Sequence, residues 1–207
     1  MRFYRWLGGG GRGVTFGYSQ AYEAAAKEGR FPFASQRTAN SLPLVRRLTG
    51  GGVVSHDGDI TLSLVFPWER LVSPSWIYKD IHRSVHLGLK AREIASRLWS
   101  DRSVFSPTRG PVQCFPKPVT MDLVHESGEK FMGGALRRRK GIGLYQASLR
   151  PEGFAVSEDV LKAAVTEGFS TYWKVEFKPK PVNPEVLVAA ERLGRDRYGS
   201  DNWNKKR

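Results

Sequence analysis

The stretch Arg46-Arg47-Leu48-Thr49-Gly50-Gly51-Gly52-Val53-Val54-Ser55-His56-Asp57 gathers two arginines, a glycine triplet and a histidine within a dozen residues. Glycine tolerates backbone conformations that a Cβ forbids, so a triplet lets main-chain groups close on a ligand. Each guanidinium is a planar fork suited to carboxylate or phosphate. Far downstream come a single cysteine, Cys114, and Lys130, the latter followed by Gly133-Gly134-Ala135. Together these residue types predict a concave site for an acyl group or a nucleotide.

Taken one at a time, the reactive side chains leave alternatives open. Cys114 lies in a polar, proline-bounded stretch; it reads equally as a buried structural thiol or as a nucleophile activated by a nearby cation. Lys130 alone would be a solvated hairpin lysine. The small residues beside it allow close approach of a ligand, to which the ammonium offers a point charge, or it could depress a thiol's pKa. His56 could orient a ligand or move a proton, or simply be a turn histidine capped by Asp57. His82 and His86 stand at i, i+4, but no third ligand accompanies them, so we expect ordinary helix residues and no metal. The glycine segment lacks the Lys-Ser or Lys-Thr of a phosphate loop and the spacing of a dinucleotide fold. Gly8 to Gly11 carry no assigned chemistry. Arg137-Arg138-Arg139-Lys140 is a solvated basic face and a candidate docking surface.

Patterning supplies the elements that must hold these residues. Val14 to Tyr18 reads as a strand and Tyr22 to Lys27 as a helical turn. Leu44 to Arg47 and Asp59 to Phe66 are strands flanking the glycine segment, the second alternating Ile60, Leu62, Leu64 and Phe66 with polar residues. Ile77, Ile81, Val85, Leu89, Ile94 and Leu98 predict one helix over Ser75 to Trp99, capped by Ser75. A loop rich in Ser and Pro follows over Asp101 to Pro118. Val119 to Val124 and Lys130 to Arg138 form a hairpin around His125-Glu126-Ser127-Gly128, and Ile142 to Leu149 adds a third strand. Ser157 caps a helix over Glu158 to Val165, and Pro184 opens another that runs to Arg197. The fold class is α+β, a mixed sheet with packed helices, and the 207 residues form one domain.

Composition narrows the partners. A hydrophobic content of 40% and aromatic content of 12% exclude a disordered chain. No window approaches the ~18 apolar residues of a membrane span, so no membrane partner is expected. The N-terminus does not resemble a signal peptide, and a single cysteine forms no internal disulfide, which points to the cytoplasm. The net charge of +13 favours an acidic partner. Nucleic acid is a distant option, because no RNA-recognition signature or DNA-reading helix is evident.

In combination these segments resemble a known family. Arg46 to Asp57 resembles the RRxTGGGxVxHD signature of lipoate–protein ligases and lipoyl or octanoyl transferases, with a biotin/lipoate-ligase-like catalytic domain. Lys130-Phe131-Met132-Gly133-Gly134-Ala135 resembles the family's KxxGxA segment. Tyr145-Gln146-Ala147-Ser148-Leu149 is similar to its HQGSL strand, with tyrosine for histidine and alanine for glycine. Arg2 to Trp6 and Val14 to Gln20 resemble its first strands, and Tyr198 to Asn204 a common ending. Gln113-Cys114-Phe115-Pro116-Lys117-Pro118 stands where ligases carry a Gly-Arg-Asn-Asp-like segment, and is similar to the cysteine-dependent octanoyltransferases.

The resemblance implies an octanoyltransferase in which Cys114 takes the acyl group from octanoyl-acyl carrier protein as a thioester. Lys130 would lower the thiol's pKa and position it, and a lipoyl-domain lysine, such as that of glycine-cleavage H protein, would then receive the group. It also implies an acyl-binding site from Arg47, Gly50, Gly51, Gly52, Val53, Val54, Ser55, His56, Gly133, Gly134 and Ala135. No cofactor is then required. An ATP-dependent lipoate–protein ligase is the alternative; it would bind ATP and magnesium through Arg47 and the Gly52 to Ser55 backbone, and hold the lipoyl carboxylate with Lys130. A non-catalytic module binding acyl carrier or nucleic acid is the third. Family members usually carry a helical segment before the first strand, here expected to be missing, and no accessory C-terminal domain is expected.

Overall fold

The computed structural model describes residues 1–6, 12–28, 43–69, 71–100 and 117–206. Strands β1 (Arg2–Tyr4), β2 (Arg12–Phe16), β3 (Leu44–Arg46), β4 (Val54–Asp57) and β5 (Ile60–Pro67) belong to the first third of the chain, with helix α1 (Tyr22–Glu28) among them. Helix α2 (Pro74–Ala91) precedes β6 (Arg97–Leu98), β7 (Leu123–Val124), β8 (Lys130–Arg139) and β9 (Ile142–Leu149). Helices α3 (Glu158–Trp173), α4 (Pro184–Leu193) and α5 (Asp201–Asn204) follow, with a π-helical turn at Gly194–Tyr198. Among the described residues no helix is long and apolar enough to cross a membrane.

Two sheets result. The larger runs β1-β5-β9-β8-β7-β6 with every pairing antiparallel. The smaller runs β3-β2-β4, and here the pattern is mixed, because β2 pairs parallel to β3 and antiparallel to β4. The alternation in β5 and β9 explains their placement. Ile60, Leu62, Leu64, Tyr145, Ala147 and Leu149 enter one core with α2 and α3. Their neighbours Thr61, Gln146 and Ser148 bond instead to Trp6, Thr49 and Asp59. Ile81 and Leu89 on α2 are fully buried, and burial of such a side chain contributes roughly 2 kcal/mol. A second, smaller core of Val14, Phe16, Ala25 and Val53 lies under the small sheet.

Helices α2 and α3 cross through glycines. A Cβ built on Gly88 would overlap the Ala164 carbonyl, and one on Gly168 the Ser84 carbonyl, so the two backbones touch. Arg46 ties distant segments together from a fully buried position. Its guanidinium donates to the carbonyls of Trp203 (3.1 Å), Tyr18 (2.8 Å), Gln20 (2.6 Å) and Asn204 (2.8 Å). Its backbone N–H donates to Asn204 Oδ1 at 2.8 Å.

The structure corrects several expected boundaries. The helix expected over 75–99 begins one residue earlier and stops at Ala91. Ser73 is its N-cap, Pro74 takes the first helical position, and Ser75 merely bonds the Ser73 hydroxyl. At the other end Glu93 adopts a left-handed φ of 57°, and Ile94 turns back to donate to the Leu89 carbonyl. Ile94 therefore reaches the core through a turn, while Leu98 does so as part of a strand. The strand expected over 119–124 is confined to Leu123–Val124, because Met121 has a φ of 76°. Ser157 caps α3 as expected, its hydroxyl accepting from the Val160 N–H, but the helix continues to Trp173. Helix α4 ends at Leu193, and Arg197 falls in the π-helical turn.

Candidate active site

Between the two sheets lies a cleft open to solvent, with about 550 Å³ of empty space. Thr15, Arg47, Val54 and His56, on the smaller sheet and its glycine segment, form one side, while Tyr4 on β1 and Trp6 just after it line the cleft beside Thr61. Thr61, Lys130, Gly133, Gly134, Ala135, Gln146, Ala147 and Ser148 form the other. The larger sheet therefore contributes a wall of small residues, which leaves room against the strands.

Lys130 opens β8 and is almost completely buried. Its ammonium meets Asp122 Oδ2 at 2.8 Å, and this carboxylate has no exposed side-chain surface. Asp122 is itself held by a Val119 N–H donating to Oδ2 (2.7 Å) and a Tyr78 hydroxyl donating to Oδ1 (2.5 Å). Burial, and then the Asp122 charge, push the Tyr78 phenol well above its ordinary pKa, so it stays protonated and remains a donor. The Gly134 N–H in turn donates to Tyr78 Oη at 3.3 Å. A Cβ on Gly133 would overlap the Lys130 side chain, so only glycine leaves that lysine its position. The result is a cation fixed at the edge of the cleft by a braced anion.

His56 anchors the opposite wall. Asp59 Oδ2 accepts from Nδ1–H at 2.8 Å and from the Ser148 hydroxyl at 2.6 Å. In the neutral ring this leaves Nε2 to accept the Thr15 hydroxyl at 2.9 Å. Trp6 stacks on the imidazole with centroids 4.5 Å apart. Asp57, the expected cap, is exposed, and Asp59 takes that part instead. Two further histidines meet hydroxyl groups: His82 Nε2 lies 2.7 Å from Tyr145 Oη, and His86 Nδ1 lies 2.9 Å from Ser96 Oγ.

The glycine triplet works through its carbonyls. Arg47 donates to Gly50 O (2.6 Å) and Gly52 O (2.8 Å), and to Thr15 Oγ1 at 3.3 Å. Gly51 has a φ of 86°, and its carbonyl packs so closely on Gly17 that a Cβ there would overlap it. The loop thus aims the Arg47 guanidinium at the cleft. Of the expected site residues, Arg47, Val54, His56, Lys130, Gly133, Gly134 and Ala135 line the cleft together. Gly50, Gly51, Gly52, Val53 and Ser55 are not among the residues that line it. Val53 is in the smaller core, and Ser55 pairs with Val14 across the small sheet. Cys114 lies outside the described residues.

Sequence reasoning missed Asp122, Tyr78, Asp59, Thr15 and Trp6. Asp122 had a signal, a lone acid in the apolar stretch Val119 to Val124. So did Tyr78, one helical turn before His82 and stacked on it at 4.0 Å. For Trp6, Thr15 and Asp59 nothing local marks the role.

With this geometry in view, comparison with known proteins is specific. The chain is 27% identical to an octanoyltransferase LipM of Brevibacillus brevis, an alignment that covers 100% of this chain and 87% of the relative. In three dimensions it superposes on a lipoate-protein ligase A bound with ATP with a TM-score of 0.72, at 23% identity over 99% of this chain and 84% of the other. It also superposes on a bipartite lipoate protein ligase of Thermoplasma acidophilum, described together with its E2 lipoyl domain. That TM-score is 0.71, at 23% identity over 99% of this chain and 82% of the other. At such identities the two structures speak to the fold, which is the α+β fold of lipoate ligases. Residues 12–168, which carry the cleft residues from Thr15 to Ser148, match the model of the lipoyl protein ligase A/B catalytic domain, and the chain belongs to that family.

Proposed function

We propose that the protein is an octanoyltransferase of protein lipoylation that moves an octanoyl group from an acyl carrier protein to a lipoyl-domain lysine through a thioester on Cys114. The Cys114 thiolate attacks the carbonyl carbon of the donor thioester; the new C–S bond forms as the bond to the carrier sulfur breaks, and the carrier thiolate leaves and takes up a proton. The neutral amine of the acceptor lysine then attacks the enzyme thioester. Its C–N bond forms, the bond to Cys114 breaks, and the amine proton passes to the departing sulfur. Splitting the transfer in this way is covalent catalysis, and the donor is already activated, so no ATP takes part.

The observation that carries this reading is Lys130, a buried cation fixed by Asp122 beside a wall of small residues in a cleft between the sheets. A positive charge held there favours the thiolate of a neighbouring cysteine and the developing oxyanion of the acyl carbonyl. The family, and the octanoyltransferase name of a relative aligned over the whole chain, support the same chemistry.

The test is the intact mass of the protein after mixing with octanoyl-acyl carrier protein without ATP, for the unaltered chain and for Cys114→Ala. We expect an adduct that hydroxylamine removes, on the unaltered chain alone, which a lipoyl domain then discharges. Octanoylation of the lipoyl domain by Cys114→Ala, dependent on ATP and free octanoate, would overturn the transferase in favour of a ligase.

A further inference from the structure

Beside the cleft, a cluster of cations is stacked on aromatic rings. Lys206 Nζ sits 3.7 Å from the Trp203 ring centroid and 4.1 Å from that of Tyr18. The Arg137 guanidinium lies 4.1 Å over the Tyr18 ring, and Arg197 lies 5.4 Å over Trp203. Of the acids close to it in sequence, Asp201 meets Lys205 at 2.8 Å and Asp196 meets Arg195 at 3.9 Å. Hydrogen bonds to Lys206 and Arg137 hold the Tyr18 phenol below its ordinary pKa.

The cluster is joined to the cleft. Arg137 Nη1 donates to the Leu48 carbonyl at 2.7 Å, and Tyr198 packs edge-on against Trp203 at 5.6 Å. Leu48 and Tyr198 line a second depression, which shares Trp6, Arg47 and Gln146 with the cleft. The two depressions therefore adjoin, with Arg47 lining both, between the cationic surface and the wall that holds Lys130.

Resting on the octanoyl-transfer reading above, we infer that this surface, Tyr18 and Trp203 with Arg137, Arg197 and Lys206, docks the acyl donor, an acidic carrier domain whose thioester hangs from a phosphorylated arm. Arginine and lysine suit both the acidic face of such a domain and the phosphate of its arm. The depression between Leu48 and Tyr198 is the entry for that arm. The acceptor offers these cations no phosphate, since its reactive group is carried on a lysine side chain. The donor and acceptor proteins then engage different surfaces.

The experiment compares the full chain with Arg197→Glu/Lys206→Glu, and with the milder Arg197→Gln/Lys206→Gln, using octanoyl-acyl carrier protein and octanoyl-pantetheine as alternative donors. We expect the ratio of kcat/KM for the carrier-bound donor to that for the small thioester to fall roughly tenfold or more in the reversed variant, and less in the neutral one. Anisotropy of a labelled carrier bearing its phosphorylated arm but no acyl group should show the same order of weakening, and this reports docking even where no transfer occurs. An unchanged ratio with unchanged carrier binding overturns the proposal. So does a defect confined to discharge onto the lipoyl domain, which would assign the surface to the acceptor. Tighter binding of a single-stranded oligonucleotide than of the carrier would assign it to nucleic acid, and equally overturns it. If neither donor loads the unaltered chain while the carrier still binds through these residues, the transferase reading fails and the docking surface stands.

Discussion

Replacing Asp122 by asparagine tests whether the Lys130 cation depends on that carboxylate. The aspartate accepts from the Lys130 ammonium and the Val119 N–H on one oxygen, and from the Tyr78 hydroxyl on the other. An asparagine keeps one acceptor. If it faces Lys130 and Val119, its NH2 meets a Tyr78 hydroxyl that already accepts from the Gly134 N–H. The ammonium retains a dipole but loses a full opposing charge. Removing one partner of a buried pair costs about 3–5 kcal/mol, and the retained amide oxygen places this case near about 3 kcal/mol. For a chain of this length that is a fall in Tm of roughly 6–12 °C. The assay is urea unfolding of Asp122→Asn, Lys130→Met and the double variant. Because the double variant no longer buries an uncompensated ammonium, it should be more stable than the sum of the single losses predicts, by about 1.5 kcal/mol or more. Strict additivity would refute the reasoning, since Lys130 would then not be held by Asp122 in solution.

Three further outcomes follow from the packing of single residues. Burial lowers the His82 pKa to about 4, so the ring is neutral in the folded protein at pH values where the unfolded chain takes up a proton. That stability is complete above the ordinary value near 6.5 and is lost as the pH falls towards about 4, a change of roughly 3 kcal/mol; in His82→Gln, denaturation midpoints measured across this window should decline less steeply. Gly88→Ala forces a Cβ onto the Ala164 carbonyl of the facing helix and should destabilise by about 1–3 kcal/mol, read as a lower Tm. Gly194→Ala, with a right-handed helical backbone and open space around it, should instead raise Tm slightly.

The sequence makes much of this arrangement legible, for definite reasons. Strand β9 occupies Ile142–Leu149 as expected, because its alternation separates residues facing the helices from those facing the small sheet. Asn183 and Ser157 begin their helices because their side chains accept the first free N–H groups. The end of α2 was not legible: Ile94 and Leu98 continue the apolar spacing, and periodicity alone does not distinguish a continuing helix from a chain that turns back into the same core. Cleft residues carried by motifs, such as Arg47 and Lys130, were visible from their neighbours. Their partners were not, since Tyr78 meets Asp122 across 44 residues and Ser148 meets Asp59 across 89. His82, expected as an ordinary helix residue, stacks on Tyr78 one helical turn before it.

Arg46 imposes an order of events on biosynthesis. It lies 157 residues ahead of Trp203 and 158 ahead of Asn204, whose carbonyls receive its guanidinium. At translation rates of ~5–20 residues per second, those partners emerge roughly 8–30 s after Arg46 itself. Until then the guanidinium lacks the Trp203 and Asn204 carbonyls, and β3 cannot seat it as the finished protein does. The next residue, Arg47, is the one aimed at the cleft, so a nascent chain stopped before residue 203 carries the glycine loop on an unfinished support. Acyl handling thus waits for nearly the whole described chain to be made, and fragments released early by a stalled ribosome lack the completed wall.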